Sequence, residues 1–204
     1  MKSTTLFAIF LLCAFTSYLP SATAEDVLDV DGDPIRNGFI YFVLPAIRGN
    51  GGGIERATIE KDTCITTVVQ SPNPNSKGLG IKFESPHLAH YINETLILRI
   101  KFSYPQQCEK KNPWWAIAKG MAEGPPAIKI SGGFHGTEPG WFKIQKDSQS
   151  SDSNDYKLVF CKYDESWCLD IGIYVDPQGN RRLVLAPTGK PFLVHFHKIG
   201  SSIA

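Results

Sequence analysis

The chain has 204 residues, of which 42% are hydrophobic and 11% aromatic, enough to form the core of one domain or two small ones. Its 21 Lys and Arg nearly balance its 20 Asp and Glu. This balance excludes the basic excess that nucleic-acid binding requires, so we predict no nucleic-acid partner. The 18 Gly and 14 Pro are typical of a chain rich in turns and too few for a disordered or collagen-like protein.

The first 24 residues have the pattern of a secretory signal peptide. Lys2 gives a positive start, and the apolar stretch that begins at Leu6 is shorter than the roughly 20 residues of a membrane span. Ala22-Thr23-Ala24 matches a small-x-small cleavage site. A buried N-terminal strand or helix is the alternative. Because no second long apolar run follows, we expect no membrane partner and a secreted, soluble mature domain at residues 25–204.

The cysteines predict two disulfides. Cys13 leaves with the signal peptide, and the other four remain in an oxidising compartment. Four cysteines allow three pairings. Cys161 and Cys168 are close enough in sequence to suit a local bridge, which leaves Cys64 with Cys108. A zinc site is the alternative, but the paired C-x-x-C spacing that it requires is absent.

Apolar and aromatic segments, separated by clusters of Gly and Pro, predict an all-β chain of about twelve strands. Leu96, Leu98, Ile100 and Phe102 alternate with polar residues, as in a half-buried strand. No stretch of twelve residues keeps a helical period with capping residues at its ends. The predicted strands are Phe39–Leu44, Ile65–Gln70, Gly80–Glu84, Leu96–Phe102, Trp115–Ala118, Ile128–Ile130, Trp141–Gln145, Tyr156–Tyr163, Ile171–Val175, Leu183–Leu185 and Phe192–His197.

A weak repeat suggests threefold symmetry. Pairs of apolar strand residues, 12 to 14 positions apart, recur along the chain at Val69 and Ile81, Ile117 and Ile130, and Val159 and Ile173. Three units of about four strands would close a small barrel and leave no exposed sheet edge. A β-sandwich also has regularly spaced strands, so the pattern alone leaves both architectures open.

The sequence offers little catalytic chemistry. It contains no Gly-x-Ser-x-Gly elbow, no His-Glu-x-x-His motif and no phosphate-binding loop. The glycine run Gly49–Gly53 is interpreted as a flexible hairpin, because no Lys-Ser/Thr follows it. His195 and His197 lie two apart on a predicted strand and share a face that could hold a metal, but an exposed polar face is the preferred interpretation. We therefore predict no enzymatic activity, no metal and no cofactor.

Several segments of the mature chain match one known family in residues and in order. They are Val27-x-Asp29-x-Asp31-Gly32-Asp33-x-Ile35 followed by Tyr41-x-Val43, Cys64 with Thr67–Ser71, Glu123-Gly124-Pro125, Gly140-Trp141-Phe142, Tyr156–Cys161, Asp170–Ile173 and Gly179–Val184. With these segments the chain resembles the soybean-type Kunitz protease inhibitors of plants. The resemblance implies a β-trefoil, a pseudo-threefold barrel, with the same two disulfides that the cysteine spacing suggests.

The resemblance also implies a reactive loop that enters a serine protease like a substrate. The matching residues are Ser85, Pro86, His87, Leu88, Ala89, His90 and Tyr91. The bond presented to the enzyme would be Leu88–Ala89, and Asn37 matches the family asparagine that braces the loop from inside.

Leu88 departs from the trypsin inhibitors of this family, which have Arg or Lys at that position. No Lys or Arg lies between Lys82 and Arg99, so a shift in alignment restores no basic residue. A hydrophobic specificity pocket accepts Leu, whereas the acidic pocket of trypsin would leave its carboxylate unpaired. We therefore expect an inhibitor of chymotrypsin-, elastase- or subtilisin-like proteases rather than of trypsin.

The expected product is a monomer that is secreted to the apoplast or the vacuole and binds a serine protease, in plant defence or in control of endogenous proteases. Asn93-Glu94-Thr95 is an N-glycosylation sequon, and a glycan there would flank the loop. Three alternatives remain open: a non-inhibitory trefoil with a storage, taste-modifying, signalling or other binding role; an inhibitor of another hydrolase class; and inhibition through another loop, Gly49–Gly53 or Gln106–Asn112.

Overall fold

In the part of the chain that the structure describes, the regular secondary structure consists almost entirely of short antiparallel strands. The computed structural model describes residues 24–59, 65–118, 124–131, 137–149, 154–186 and 189–199. One turn of 3-10 helix lies at Gln107–Glu109. The strands are β1 (Ile40–Pro45), β2 (Ile54–Ala57), β3 (Ile65–Gln70), β4 (Ile81–Glu84), β5 (Arg99–Phe102), β6 (Trp115–Ala118), β7 (Ile128–Ser131), β8 (Thr137–Pro139), β9 (Trp141–Lys146), β10 (Tyr156–Cys161), β11 (Cys168–Val175), β12 (Arg181–Leu185) and β13 (Leu193–Lys198).

Six of these strands close into a barrel. β1 pairs with β4 and with β13, β4 pairs with β5, and β10 pairs with β9 and β13. The ring is completed between β5 and β9 by an antiparallel bridge of Leu98 to Phe142. Each of these two residues donates its N–H to the other's carbonyl oxygen, at 2.8 and 2.9 Å. Closure satisfies the polar edges that an open sheet would expose.

Three hairpins form a second layer. They are β2 with β3, β6 with β7, and β11 with β12. The first hairpin contacts both of the others, because β3 pairs with β7 and with β12. A bridge of Ala127 to Val184 joins the second hairpin to the third. The chain thus divides into three units, each with two barrel strands around one hairpin: β1–β4, β5–β9 and β10–β13. This arrangement confirms the predicted all-β class and the predicted threefold barrel.

The strand pairs from which the repeat was inferred do not correspond to one another. Val69 and Ile81 lie in the third and fourth strands of the first unit. Val159 and Ile173 lie in the first and second strands of the last unit. β6 pairs with β7 and β10 with β11, whereas β3 and β4 do not pair, so the spacing of 12 to 14 residues does not report the symmetry.

Two strands escaped prediction, and one interpretation was wrong. β2 and β8 are short and contain Glu, Arg, Thr or Pro, so neither shows an apolar alternation. The glycine run Gly49–Gly53 was interpreted as a flexible hairpin. It instead links β1 to β2, which do not pair, because β1 lies in the barrel and β2 pairs with β3.

The core lies inside the barrel and is rich in aromatic rings. Trp115, Phe142 and Phe160 are buried and contact one another edge to face, with centroids 6.1 and 5.9 Å apart. Phe83 and Phe196 form a second such pair at 5.5 Å. Aromatic pairs in this geometry add to the free energy gained from burial of their area. The alternating burial along β5 is the one that its sequence predicts, whereas β1 alternates in burial although its residues are all apolar.

The predicted disulfide between Cys161 and Cys168 is present, and it joins directly opposed residues of β10 and β11. Cys64 and the side chain of Cys108 lie outside the described residues, as does nearly all of the predicted signal peptide. Within the described ranges, no helix has the length and apolar character that a membrane crossing requires.

Replacement of Phe142 by Ala tests the aromatic core. Phe142 is 0% exposed, and we expect Phe142→Ala to lower the free energy of unfolding by about 3–5 kcal/mol. Phe39, which is 54% exposed, is the matched control, and Phe39→Ala should change that free energy by less than about 1 kcal/mol. Urea denaturation measures both. Equal losses in the two variants would contradict the assigned core.

Candidate functional site

The loop between β4 and β5 presents one apolar side chain at its apex. Leu88 is fully exposed, with a relative accessibility of 110%. The Ala89 N–H donates to the His87 carbonyl at 2.9 Å, so the backbone turns tightly at Leu88 and the side chain projects outward. Pro86 and His87 before it, and His90 after it, are also exposed. The apex is therefore accessible to another protein.

Asn37 holds the loop on both sides of Leu88. Its side-chain Oδ1 accepts a hydrogen bond from the Ser85 N–H at 2.9 Å. Its Nδ2 donates to the Ala89 carbonyl at 3.0 Å, and its backbone N–H donates to the His90 carbonyl at 3.0 Å. One residue thus restrains the segment before Leu88 and the segment after it. Such cross-links fix the loop conformation before any partner arrives.

A buried apolar anchor fixes the end of the loop. Ile92 is 0% exposed and packs in the core with Val27 and Ile35. The Val27 N–H donates to the Ile92 carbonyl, and the Ile92 N–H donates to the Ile35 carbonyl, each at 2.9 Å. The segment before β1 therefore lies under the loop and connects it to the barrel.

An ion cluster fixes the start of the loop. Glu84, the last residue of β4, accepts from Lys82 and Lys101, each at 3.0 Å. Burial alone would raise the pKa of Glu84, but the two ammonium groups outweigh it and hold that pKa below its ordinary value. The carboxylate thus stays ionised near neutral pH, and the β4–β5 pair is cross-linked directly below Ser85.

The structure brings together every residue that was predicted for the loop, and it places Asn37 beneath them. The supporting segment from Val27 to Ile35 was identified only as part of a family signature. Its role was missed because no apolar alternation marks it: Val30 is 39% exposed, whereas Asp29 is buried between Val27 and Ile35. The antiparallel bridge between Arg36 and Tyr91 was also missed, because it joins residues that are 55 positions apart.

The sequon lies just beyond the loop. Asn93 is partly exposed, and its Oδ1 accepts from the N–H of Thr95 at 3.1 Å and from the Thr95 hydroxyl at 2.8 Å. Its backbone forms a bridge with Asp26. A glycan at this position stays a prediction.

His195 and His197 lie on one face of β13, as predicted. In the neighbouring strand β1 they lie opposite Leu44 and Phe42, away from the loop. His195 Nε2 is 2.6 Å from Asp155 Oδ1. Within the described ranges, no group of three or more His, Cys, Asp or Glu side chains is arranged to hold a metal ion.

Comparisons with known proteins agree with this geometry. Residues 27–198 match the legume Kunitz family, described as trypsin and protease inhibitor. The chain is 49% identical to "Kunitz-type trypsin inhibitor KTI1" of Glycine max, over the full length of both proteins. That relative and others carry inhibitor names, in agreement with the prediction that the chain is not an enzyme.

Solved structures give the same assignment. The chain is similar to soybean trypsin inhibitor with a TM-score of 0.74 and 37% identity, over 86% of this chain and all of that one. It is equally similar, at 0.74 and 38% over the same shares, to the inhibitor in "complex porcine pancreatic trypsin/soybean trypsin inhibitor". The predicted β-trefoil fold is thereby confirmed. The chain belongs to the legume Kunitz family of protease inhibitors.

Proposed function

We propose that this protein is a secreted inhibitor of serine endopeptidases that acts through the loop from Ser85 to Tyr91. The observation that carries the proposal is the set of three hydrogen bonds by which Asn37 holds this loop around a fully exposed Leu88. The similar soybean inhibitor, solved in complex with trypsin, supports a protease as the partner.

The proposed mechanism is physical rather than catalytic. A loop that is held in one conformation loses little entropy on docking, so its contacts appear as affinity. Leu88 would occupy the specificity pocket and place the Leu88–Ala89 bond at the nucleophile. If that bond is cut, Ser85 and Ala89 are still both attached to Asn37. The new ends then stay together, and religation competes with release.

We propose a chymotrypsin-, elastase- or subtilisin-like target, because the apex residue is apolar. Neither flanking cation can replace it. Lys82 lies in β4 and is paired with Glu84, and Arg99 lies in β5 with its guanidinium 4.2 Å from the centre of the Trp114 ring. Trypsin is the second candidate, and the names of the relatives favour it.

A panel of trypsin, chymotrypsin, elastase and subtilisin, titrated with the parent protein and Leu88 variants, separates these targets. We expect the parent to inhibit an enzyme whose specificity pocket accepts Leu, and we expect the Leu88→Arg variant to gain inhibition of trypsin. Leu88→Asp should weaken inhibition of the sensitive enzyme by at least about 30-fold, the effect of removing an interface hot spot. Residual protease activity is the readout.

Ile47→Asp is the matched control, because Ile47 is 69% exposed on a different loop and should be neutral. If the parent inhibits trypsin as strongly as the Leu88→Arg variant does, the proposed preference for an enzyme that accepts Leu is refuted. Unchanged inhibition by the Leu88→Asp variant would refute the assignment of this loop as the inhibitory site. If every folded variant is inactive against the whole panel, the trefoil has a non-inhibitory role.

Asn37→Ala tests the bracing role. The variant loses two side-chain hydrogen bonds, each worth about 0.5–1.5 kcal/mol. We therefore expect inhibition to weaken by roughly 5- to 150-fold and the Leu88–Ala89 bond to be hydrolysed faster, as followed by mass spectrometry. Asn180→Ala is the control, because its side chain bonds Asp176 far from the loop. Equal inhibition by both variants would contradict the role of Asn37.

A further inference from the structure

A cleft at the far end of β1 collects positive charge. Its volume is about 390 Å³, and its polar lining comes from three separate parts of the chain: Arg48 from the β1–β2 loop, Ser76 and Lys77 from the β3–β4 loop, and His195 and His197 from β13. In register, His195 lies opposite Leu44 and His197 opposite Phe42. Both imidazoles therefore project from the same face, beside the two loops.

Glycines hold the two loops together. The Gly52 N–H donates to the Ser71 carbonyl and the Gly53 N–H donates to the Ser76 carbonyl, each at 2.8 Å. A Cβ atom at Gly52 would lie 2.3 Å from the Asn73 carbonyl oxygen, and one at Gly53 would lie 2.2 Å from the Lys77 carbonyl oxygen. Any side chain at either position would therefore push the loops apart. The glycine run fixes the position of Arg48 relative to Lys77.

Two cations of the cleft, Arg48 and Lys77, are not neutralised by a carboxylate within the described residues. Arg48 and Lys77 form no ion pair there, and the Lys77 ammonium instead lies 5.9 Å from the centre of the Phe42 ring. The buried Asp155 is paired with His195 at 2.6 Å. Burial, followed by the charges of His195, Lys77 and Arg48, lowers the pKa of His197, while Asp31 acts weakly in the opposite direction. These groups therefore repel additional positive charge.

We propose that this cleft binds a tetrahedral oxyanion, namely sulfate or phosphate, either free or as an ester. A guanidinium, an ammonium and imidazole N–H groups are the donors that bind such oxygens most strongly. The Ser76 hydroxyl accepts from the Gly78 N–H at 3.1 Å, so its own proton is available to the anion. A bound anion would relieve the mutual repulsion of the cations.

The cleft is separate from the loop that carries the proposed function. Asn37 lies just before β1, whereas the cleft begins at Leu44 near its other end. At about 3.3 Å per residue, the strand from Ile40 to Leu44 alone separates the two by roughly 13 Å. The anion site therefore stands or fails independently of protease inhibition.

The test is a titration of the secreted, purified protein with sodium sulfate and sodium phosphate, followed by 1H–15N NMR, with sodium chloride at matched ionic strength. We expect saturable shifts confined to residues 48–52, Ser76, Lys77 and the β13 histidines, with a Kd of about 1 mM. Arg48→Gln/Lys77→Gln should bind at least about tenfold more weakly, as expected when two charged donors are lost. The matched control is Lys110→Gln/Lys111→Gln, which removes the same charge from exposed positions and should bind like the parent.

Two further arms sharpen the result. Because binding and protonation are linked, sulfate should raise the pKa of His197, and binding should be tighter at about pH 5.5 than at about pH 8. Titration with glucose 6-sulfate and glucose 6-phosphate, in comparison with the inorganic ions, distinguishes an ester from a free ion. Binding of the ester or of the free ion supports the site. Shifts that chloride reproduces, or equal binding by a folded Arg48→Gln/Lys77→Gln protein and its control, would overturn the proposal.

Discussion

Closure of the barrel at the seam between Leu98 and Phe142 is the constraint on which the other features depend. The other neighbouring barrel strands share longer ladders, whereas β5 and β9 meet through one bridge with two backbone hydrogen bonds. The bridge lies over the buried ring of Phe142, so the aromatic core supports it from inside. With the ring closed, β4 and β5 have fixed positions, and the ends of the exposed loop are fixed with them.

The loop itself is held by parts of the chain that are distant in sequence. Asn37 contacts residues 48 and 52 positions away, and Val27 pairs with Ile92 across a similar separation. Loops of this length normally vary in conformation, because few contacts restrain them. Here the polar restraint lies directly under the apex and the apolar restraint lies at the base. Rigidity at the apex is therefore a property of the whole fold rather than of the local sequence.

The sequence predicted most of the barrel and little of its symmetry. β1 runs apolar over six residues and β5 alternates polar with apolar residues, signals that survive without tertiary context. β2 has Glu55 and Arg56 at its centre, so only its pairing with β3 makes it a strand. The residues proposed to form the reactive loop were predicted from family resemblance, because nothing in their chemistry distinguishes them. The histidine face of β13 was visible as a two-residue spacing. The proximity of Arg48 and Lys77 to this face could not be seen in the sequence, since topology alone brings their loops together.

The position of residues 24–37 beneath the loop has a consequence for folding. Val27 and Ile35 lie 65 and 57 positions before Ile92 in the sequence, and contacts of such separation form slowly. Until they form, Leu88 and Ala89 belong to an unrestrained segment. Under the proposed function, such a chain is an ordinary substrate of the same protease that the finished barrel blocks. Docking of the N-terminal segment would then decide, molecule by molecule, whether an encounter ends in digestion or in arrest of the enzyme.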